Sequence, residues 1–583
     1  MIKTLYKVFI RLRSKRRKQL FLLLLNMVIS GFLETLTLAA IVPFLSALTE
    51  PYKLLNNQIY KSFANFFSIS STRDIIFSTI FIFSFFALFS GIFRIFNEWY
   101  KGKVTSEIGS ELSSQAFYNT LYQPYSFYIN NNSSETIAIL NKDVNNFLLT
   151  LNQFLNFLNA SITFLSILIA LLIFNWKITI SIVLIFLSFY LIVNIKTKPI
   201  LNSNSEKQRY LNIEKISIIQ DSLGSIRDVI VNEFQDFYIS RYQKAEVKLR
   251  RMYAKNQLFA NSPKYILDSL GLILISTLAG VTFFLRGNIS EVLPILGVFG
   301  LGSQKMLPII QNIYLSFSVF NANKNPIEKF IVLLDKKIIK RNNFSKLDMF
   351  NLLNSISFKK VSFQYNKDNS YVLKEISLKI KKGDKVGLIG KTGSGKSTLL
   401  DLLIGLTSPT SGTILIDNKD LHNLKNIDLK RKWKNSISHV PQSIYLINSS
   451  IYRNIAFGIK EEDINYEKVK RVAKIALVTE FTKKFKNGLH SNTGERGVKL
   501  SGGQRQRIGI ARALYNLNEN SNLLIFDEAT SALDFKTEEE IIKSIESNYK
   551  SLTMIFITHR LKTLKNFDKI FSIGDGILNQ LEI

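Results

Sequence analysis

The hydrophobic and polar positions of this chain fall into two regimes that meet near residue 320. Before that point, uncharged apolar runs recur, each near the roughly 20 residues that a membrane-spanning helix needs. They predict six spans, at about 20–46, 75–99, 150–174, 177–197, 262–286 and 291–320. Only Asn175-Trp176-Lys177 separates the third span from the fourth, and only Gly287-Asn288-Ile289 the fifth from the sixth, which predicts two tight external turns. The connections Lys101–Val144 and Lys196–Lys255 are long, charged and helix-like. They predict helices that project well beyond the membrane on the cytoplasmic side and reverse near Pro124–Asn131 and Ser222–Val229. The external connection at about 47–73 carries Leu54, Leu55, Ile59, Tyr60, Phe63, Phe66 and Phe67 near helical spacing, which predicts an amphipathic helix at the outer interface. From about residue 354 the composition is soluble, and Ile356–Tyr365 alternates as a half-buried strand does.

Charge orients this layout. Residues 1–19 hold Lys3, Lys7, Arg11, Arg13, Lys15, Arg16, Arg17 and Lys18 and no acid, which places the N-terminus in the cytoplasm and favours contact with anionic headgroups. The net charge of +31 comes without a recognisable DNA- or RNA-binding module, so it is read as basic membrane-facing loops in a lysine-rich chain, with no nucleic-acid partner. The absence of cysteine excludes disulfides, zinc–thiolate sites and thiol nucleophiles. The apolar run after the basic start continues as a full span, so no cleavable signal peptide is predicted.

Two charges inside the spans need an account. Glu34 sits mid-span, between Gly31 and Pro43, where an ionisable side chain costs at least roughly 2.5–3.5 kcal/mol. It is predicted to face a cavity or a partner, as a candidate on the substrate path or as one half of a buried pair. Arg94, near the cytoplasmic end of the second span, is read as a snorkelling side chain.

The chemistry lies in the second regime. The strand Val386–Ile389 runs into Gly390-Lys391-Thr392-Gly393-Ser394-Gly395-Lys396-Ser397-Thr398 and then a helix, which is the Walker A pattern in the context it requires. Its glycines let successive N–H groups converge on a polyphosphate at a helix N-terminus, with Lys396 reaching the β- and γ-phosphates and the Ser397 hydroxyl holding Mg²⁺. Tyr365, about 30 residues earlier, ends a strand where its ring could stack on adenine. Leu500-Ser501-Gly502-Gly503-Gln504 opens a second helix and predicts a second phosphate-binding cap. Two such caps in one chain are too far apart for one nucleotide, which predicts two copies facing each other. The strand Leu523–Phe526 delivers Asp527 and Glu528 to its C-terminal end: Asp527 for Mg²⁺, mainly through water, and Glu528 as general base toward the attacking water. A last strand, Leu552–Ile557, ends in Thr558-His559, where a histidine could contact the γ-phosphate.

Taken in this order and spacing, Walker A, Gln442, Leu500–Gln504, Asp527-Glu528, Asp534 and His559 resemble an ATP-binding cassette (ABC) transporter. Six spans ahead of one nucleotide-binding domain resemble its exporter type. The resemblance implies a membrane all-α six-helix transmembrane domain (20–325) with long intracellular helices, behind a basic segment (1–19). A linker (326–353) and an α/β P-loop ATPase domain with an α-helical subdomain (354–583) follow. It implies ATP and Mg²⁺ as cofactors, a catalytic role for Gln442 beside Glu528 and His559, Gln442 as a further Mg²⁺ ligand, and Asp534 in the nucleotide site. The reversals at Pro124–Asn131 and Ser222–Val229 match the family's coupling helices, and Asn492–Gly497 its cross-linking loop. A homodimer with composite ATP sites in the bacterial inner membrane is implied, a heterodimeric partner staying open, with the N-terminus and the ATPase domain cytoplasmic. The first span, with Glu34 ahead of Pro43, and the external loop resemble bacterial lipid-linked oligosaccharide flippases. Lipid A-type glycolipids, hydrophobic drugs and peptides stay open as cargo; the lack of a peptidase-like domain ahead of the first span disfavours the peptidase-containing peptide exporters. A soluble ABC ATPase is disfavoured by the membrane half, and an ATP-binding channel or receptor by Glu528 and His559.

Overall fold

The apolar runs of the first part form helices. In the computed structural model, which describes residues 9–49, 51, 54, 60, 71–286, 289–336, 349–365, 370–423, 427–517 and 523–581, these are α1 (Ser14–Thr49), α2 (Thr72–Leu121), α3 (Val144–Gly224), α4 (Gln235–Arg286) and α5 (Ile289–Asp335). Helix α2 begins where the Ser71 side chain accepts a hydrogen bond from the Asp74 N–H, with Asp74 complementing the dipole in the first turn. Inside α3 the backbone leaves helical geometry at Asn175 (φ −156°, ψ 99°). The segments on either side fold back on each other, so that Ile167, Leu171 and Phe186 share one apolar cluster with Val298, Phe299 and Met306 of α5. Short helices, Tyr125–Asn130 and Ile226–Val231, lie in the two predicted reversals, and a π-helical turn, Ile139–Asp143, leads into α3. Phe77, Phe81, Phe85, Leu88 and Ile95 of α2 stay exposed, which a water-facing helix avoids and a lipid-facing one requires. Among the described residues, three helical stretches are long and apolar enough to cross a membrane: Ser14–Thr49, Thr72–Leu121 and Ser133–Gly224. The predicted interfacial helix at about 47–73 falls largely outside the described residues, as do Gly287 and Asn288 of the second external turn. Tyr60 of that connection is described and packs against Ala47 and Ile75.

The chain separates into two units, Met1–Gln123 with Phe127–Ile339, and Pro124–Ser126 with Lys340–Ile583. The second unit holds β1 (Ser355–Phe363), β2 (Leu373–Lys381), β3 (Lys385–Gly390), α6 (Lys396–Ile404), β4 (Ser411–Ile416), β5 (Lys419–Asp420), β6 (Ile437–Val440), α7 (Gly502–Asn516), β7 (Leu523–Asp527), α8 (Phe535–Asn548), β8 (Thr553–Ile557), β9 (Lys569–Gly574) and β10 (Ile577–Leu581). An antiparallel sheet runs β2-β1-β4-β5, and a second runs β10-β9-β3-β8-β7-β6, parallel from β9 to β6.

The alternation of side chains along β7 and β8 splits the core. Leu524, Phe526, Met554 and Phe556 face Ile508 and Leu514 of α7, a cluster that also takes in the small helices Ile451–Ile455, Tyr466–Ile475 and Val478–Thr482. Leu523, Ile525, Ile555 and Ile557 face Leu399 and Leu403 of α6. Helices α6 and α7, whose N-termini carry the two phosphate-binding signatures, therefore sit on opposite faces of one sheet.

Candidate functional site

The site grows from the C-terminal ends of β3, β7 and β8. After β3 the backbone takes positive φ at Gly390 (155°), Gly393 (83°) and Gly395 (101°), and Gly395 is the N-cap of α6. A Cβ on Gly390 would stand 2.4 Å from the Ile573 carbonyl oxygen, so that position requires glycine. The Lys396 side chain is buried and folds across the loop, its ammonium donating to the carbonyls of Gly390 (2.7 Å) and Lys391 (2.9 Å). The Ser394 hydroxyl is buried with no protein hydrogen-bond partner, a polar atom that a phosphate oxygen can satisfy. The Tyr365 hydroxyl bonds Thr398 Oγ1 at 3.0 Å, and its half-exposed ring meets Phe363 edge-on.

At the end of β7, Glu528 adopts a left-handed backbone (φ 48°), unusual for a residue with a side chain and costing roughly 1–3 kcal/mol. The turn aims its carboxylate into a ring of partners. Gln442 Nε2 donates to Oε2 at 2.7 Å, His559 Nε2 lies 2.9 Å from Oε1, and Lys396 Nζ lies 3.9 Å from Oε1. Burial raises the Asp527 carboxyl above the usual range, the neighbouring Glu528 charge adds to this, and the hydrogen bond with Ser397 and the charge of Lys396 oppose it. The two adjacent carboxylates therefore store unfavourable charge that a cation relieves.

Ser397, Asp527 and Gln442 supply a hydroxyl, a carboxylate and an amide oxygen. Among the described residues, no cluster of three or more His, Cys, Asp or Glu forms a self-sufficient metal cage. That donor set fits Mg²⁺, which binds through one or two protein oxygens together with substrate phosphates and water.

At α7, Ser501 is the N-cap: its hydroxyl accepts from the Gln504 N–H (3.3 Å), and the Gln504 side chain accepts from the Ser501 N–H (2.9 Å), a complete capping box. The Gln504 carboxamide oxygen is thus engaged within its own turn. Leu500 is buried in the α7 core, so of the five signature residues it contributes packing. Gly502 and Gly503 permit close approach of Ala532, whose carbonyl oxygen would stand 3.0 Å from a Cβ on Gly503. Asp534 is the N-cap of α8, its carboxylate held below the usual range by the Thr537 backbone N–H and then by the Thr537 hydroxyl.

The structure thus gathers Lys396, Ser397, Gln442, Asp527, Glu528 and His559 into one site and sets Ser501–Gln504 at the far face of the sheet. Sequence reasoning passed over Gln506, Glu538 and Arg560. Each sits beside a recognised motif, but no periodicity or spacing marks the bonds they make. In the helical unit, Glu34 is buried and ion-paired, with Arg94 Nη1 3.2 Å from its carboxylate. Arg94, expected to snorkel, keeps a largely exposed side chain and in addition pairs with this buried carboxylate on α1.

A fold of apolar helices followed by this loop–carboxylate–histidine site defines an ATPase fused to a membrane region. Family models agree on both parts: the ABC transporter transmembrane region matches residues 38–299 and the ABC transporter model matches 373–531. Relatives include an ATP-dependent lipid A-core flippase of Cupriavidus pinatubonensis (27% identical; 84% of this chain, 82% of that protein). Another, of the same name, is from Ralstonia nicotianae (29%; 84% and 81%). The alpha-hemolysin translocation ATP-binding protein of Escherichia coli O157:H7 is 29% identical over 94% of this chain and 75% of its own length. The solved structure of a bacterial Atm1-family ABC exporter with ATP bound shares the fold, with a TM-score of 0.80 at 21% identity over 97% of this chain and 96% of that one. The chain is an ABC transporter of the exporter type, a half-transporter with its membrane and nucleotide-binding regions in one polypeptide. It is a multi-pass membrane protein that hydrolyses ATP with Mg²⁺ to drive transport, and half-transporters of this family are typically dimeric.

Proposed function

We propose that the chain works as a homodimer in the bacterial inner membrane and flips an amphipathic lipid with a phosphate-bearing head, most specifically a lipid-linked oligosaccharide. The observation that carries this reading is the charge set inside the helical unit. Arg94 pairs with buried Glu34 at 3.2 Å, and Lys305, partly buried on α5, is a further cation of the helical unit. The cations of the helical unit outnumber this buried carboxylate, and among apolar helices an anion is worth most. Glu34 on the substrate path holds Arg94 in place, and the excess charge receives a phosphate. The names of the lipid A-core flippases among the relatives support a lipid cargo. The test is a proteoliposome flipping assay comparing polyprenyl-pyrophosphate oligosaccharide, lipid A and a drug panel. Movement of neither phosphate-bearing lipid ends the reading.

In the motor, ATP lies between the Walker loop of one copy and the Ser501–Gly503 cap of the other. The opposite-face placement of α6 and α7 supports this, because one copy alone cannot bring both caps to one nucleotide. The N–H groups of Gly393–Thr398 cradle the phosphates, Ser394 and Lys396 turn toward them, and Tyr365 and Asp534 border the site. Ser397, Asp527 and Gln442 would hold Mg²⁺, which would supply charge neutralisation at the phosphates. Glu528 takes the proton of the attacking water, Gln442 and His559 fix the carboxylate's direction, and His559 faces the γ-phosphate. The N-terminus and the ATPase unit are cytoplasmic.

A further inference from the structure

Just ahead of α3, outside the predicted span 150–174, lies a buried carboxylate that neither the motor nor the Glu34–Arg94 pair uses. Asp143 closes the π-helical turn Ile139–Asp143, a kind of widened turn that recurs at functional sites, and is 4% exposed. It borders a cavity of about 40 Å³ between the two arms of α3, α4 and α5, lined also by Gln208, Arg209, Asn212, Tyr253 and Asn323. Three buried polar atoms there have no hydrogen-bond partner among the described residues: Asp143 Oδ2, Gln208 Nε2 and Arg209 Nε. Gln208 is 9% exposed, and Arg209 Nε stops 3.8 Å from Asp143 Oδ2, too far for a direct hydrogen bond. Two donors and one acceptor are the partners that one buried water takes, and the cavity has room for about two or three waters at roughly 10–15 Å³ each.

The charged and titratable groups that face Asp143 come from each wall: Lys142 from its own turn, Glu135 from the short helix Ser133–Ala138, Arg209 from the second arm of α3, Lys329 from α5 and the Tyr253 phenol from α4. The cations are shared. Arg209 Nη2 donates to Glu135 Oε1 at 2.8 Å, and the Lys142 ammonium donates to Asn212 and to the Tyr253 hydroxyl (2.7 Å). Burial therefore wins at Asp143. It lifts the carboxyl to about 6 against the charges of Arg209 and Lys142, with Glu135 adding to the rise and Lys329 opposing it.

We propose that this cavity is a binding site for water and one proton that sets how readily the arms of α3 part. Charged, Asp143 draws water in and leaves the junction poised to open; neutral, it stays in the closed cavity without the desolvation that a charge incurs. The closed form holds the proton more tightly than an opened, hydrated carboxyl near 3.8, so protons favour closure. Opening falls about tenfold from pH 7.5 to pH 5 on that difference. This end of α3 is read as cytoplasmic, so the pH it senses is the cytoplasm's.

The test is hydrogen–deuterium exchange of the full-length protein in lipid nanodiscs across acid to neutral pH, corrected for the intrinsic pH dependence of exchange. Wild type, Asp143→Asn and Gln208→Leu are compared, with thermal unfolding alongside. Wild-type amides around Asp143 and Arg209 are expected to exchange about tenfold more slowly at pH 5 than at pH 7.5, the change setting in near pH 6. Asp143→Asn, permanently neutral, holds the slow rate at every pH. Gln208→Leu removes a donor that favours the charged form, so the onset moves to higher pH by about half a unit or more. Wild-type protection that ignores pH, or a pH response that Asp143→Asn keeps, overturns the proposal. Should Asp143→Asn unfold, Gln208→Leu decides: a shifted onset supports the site and an unmoved one overturns it. The readout needs neither nucleotide nor cargo, so its failure leaves the transport reading standing.

Discussion

Glu528 Oε1 lies 2.9 Å from His559 Nε2, across neighbouring strands β7 and β8, while Gln442 donates to the second carboxylate oxygen. A base held on both oxygens points one way, and its left-handed backbone keeps it there. Replacing Glu528 by Gln keeps the shape and removes the proton acceptor. The expected outcome is ATP binding within a few-fold of wild type, a trapped closed dimer, and hydrolysis lower by roughly 10²–10⁴-fold. Steady-state phosphate release beside nucleotide-binding titration checks this; wild-type turnover would remove Glu528 as the base.

Proton linkage provides an independent check on the Mg²⁺ assignment. Burial and the Glu528 charge raise the Asp527 carboxyl, so it takes up a proton earlier than a free carboxylate as pH falls from neutral. A metal ligand must be deprotonated, so Mg²⁺-dependent ATP binding weakens toward acid pH and releases protons. Glu528→Gln removes one raising charge, so its binding profile shifts to lower pH. Calorimetry in buffers of different ionisation enthalpy measures both effects.

Backbone geometry at the Walker loop sets a third expectation. Gly390 combines φ of 155° with an Ile573 carbonyl that a Cβ would meet at 2.4 Å. Gly390→Ala should destabilise the ATPase unit by roughly 1–3 kcal/mol and weaken ATP binding more than Gly393→Ala, where nothing lies within 4 Å of the added Cβ. Thermal unfolding and nucleotide titration of the two variants decide it.

The ion pair in the helical unit separates motor from load. Arg94→Gln strands the buried Glu34 carboxylate, and Glu34→Gln frees Arg94. Both should cut lipid flipping by at least roughly tenfold more than they cut ATP turnover, because the site acts on cargo. Flux and hydrolysis measured in the same proteoliposomes read the split; equal losses would make the pair structural.

Much of the motor was legible in the chain because its chemistry is local. Gly390–Thr398 states its own turn, and Asp527-Glu528 follow an unbroken buried strand. What stayed hidden depends on partners distant in sequence. Nothing in Glu538-Glu539-Glu540 marks the first as the buried one that bonds Arg560; only the packing of α8 against the Thr530 turn selects it. The cost of a carboxylate in mid-span called for a cavity or a partner for Glu34 without naming Arg94, 60 residues on, as the side chain across from it. The signature pentapeptide was read whole as nucleotide-binding, yet Leu500 serves the core and the Gln504 side chain closes its own cap.

The most direct test of the whole account is transbilayer movement by the purified full-length chain in sealed proteoliposomes. A fluorescent polyprenyl-pyrophosphate oligosaccharide is the cargo and Glu528→Gln the control. Flipping that requires ATP and Mg²⁺, is lost with Glu528→Gln and exceeds that of lipid A is the predicted result. Robust ATP hydrolysis with no movement of either phosphate-bearing lipid would contradict it.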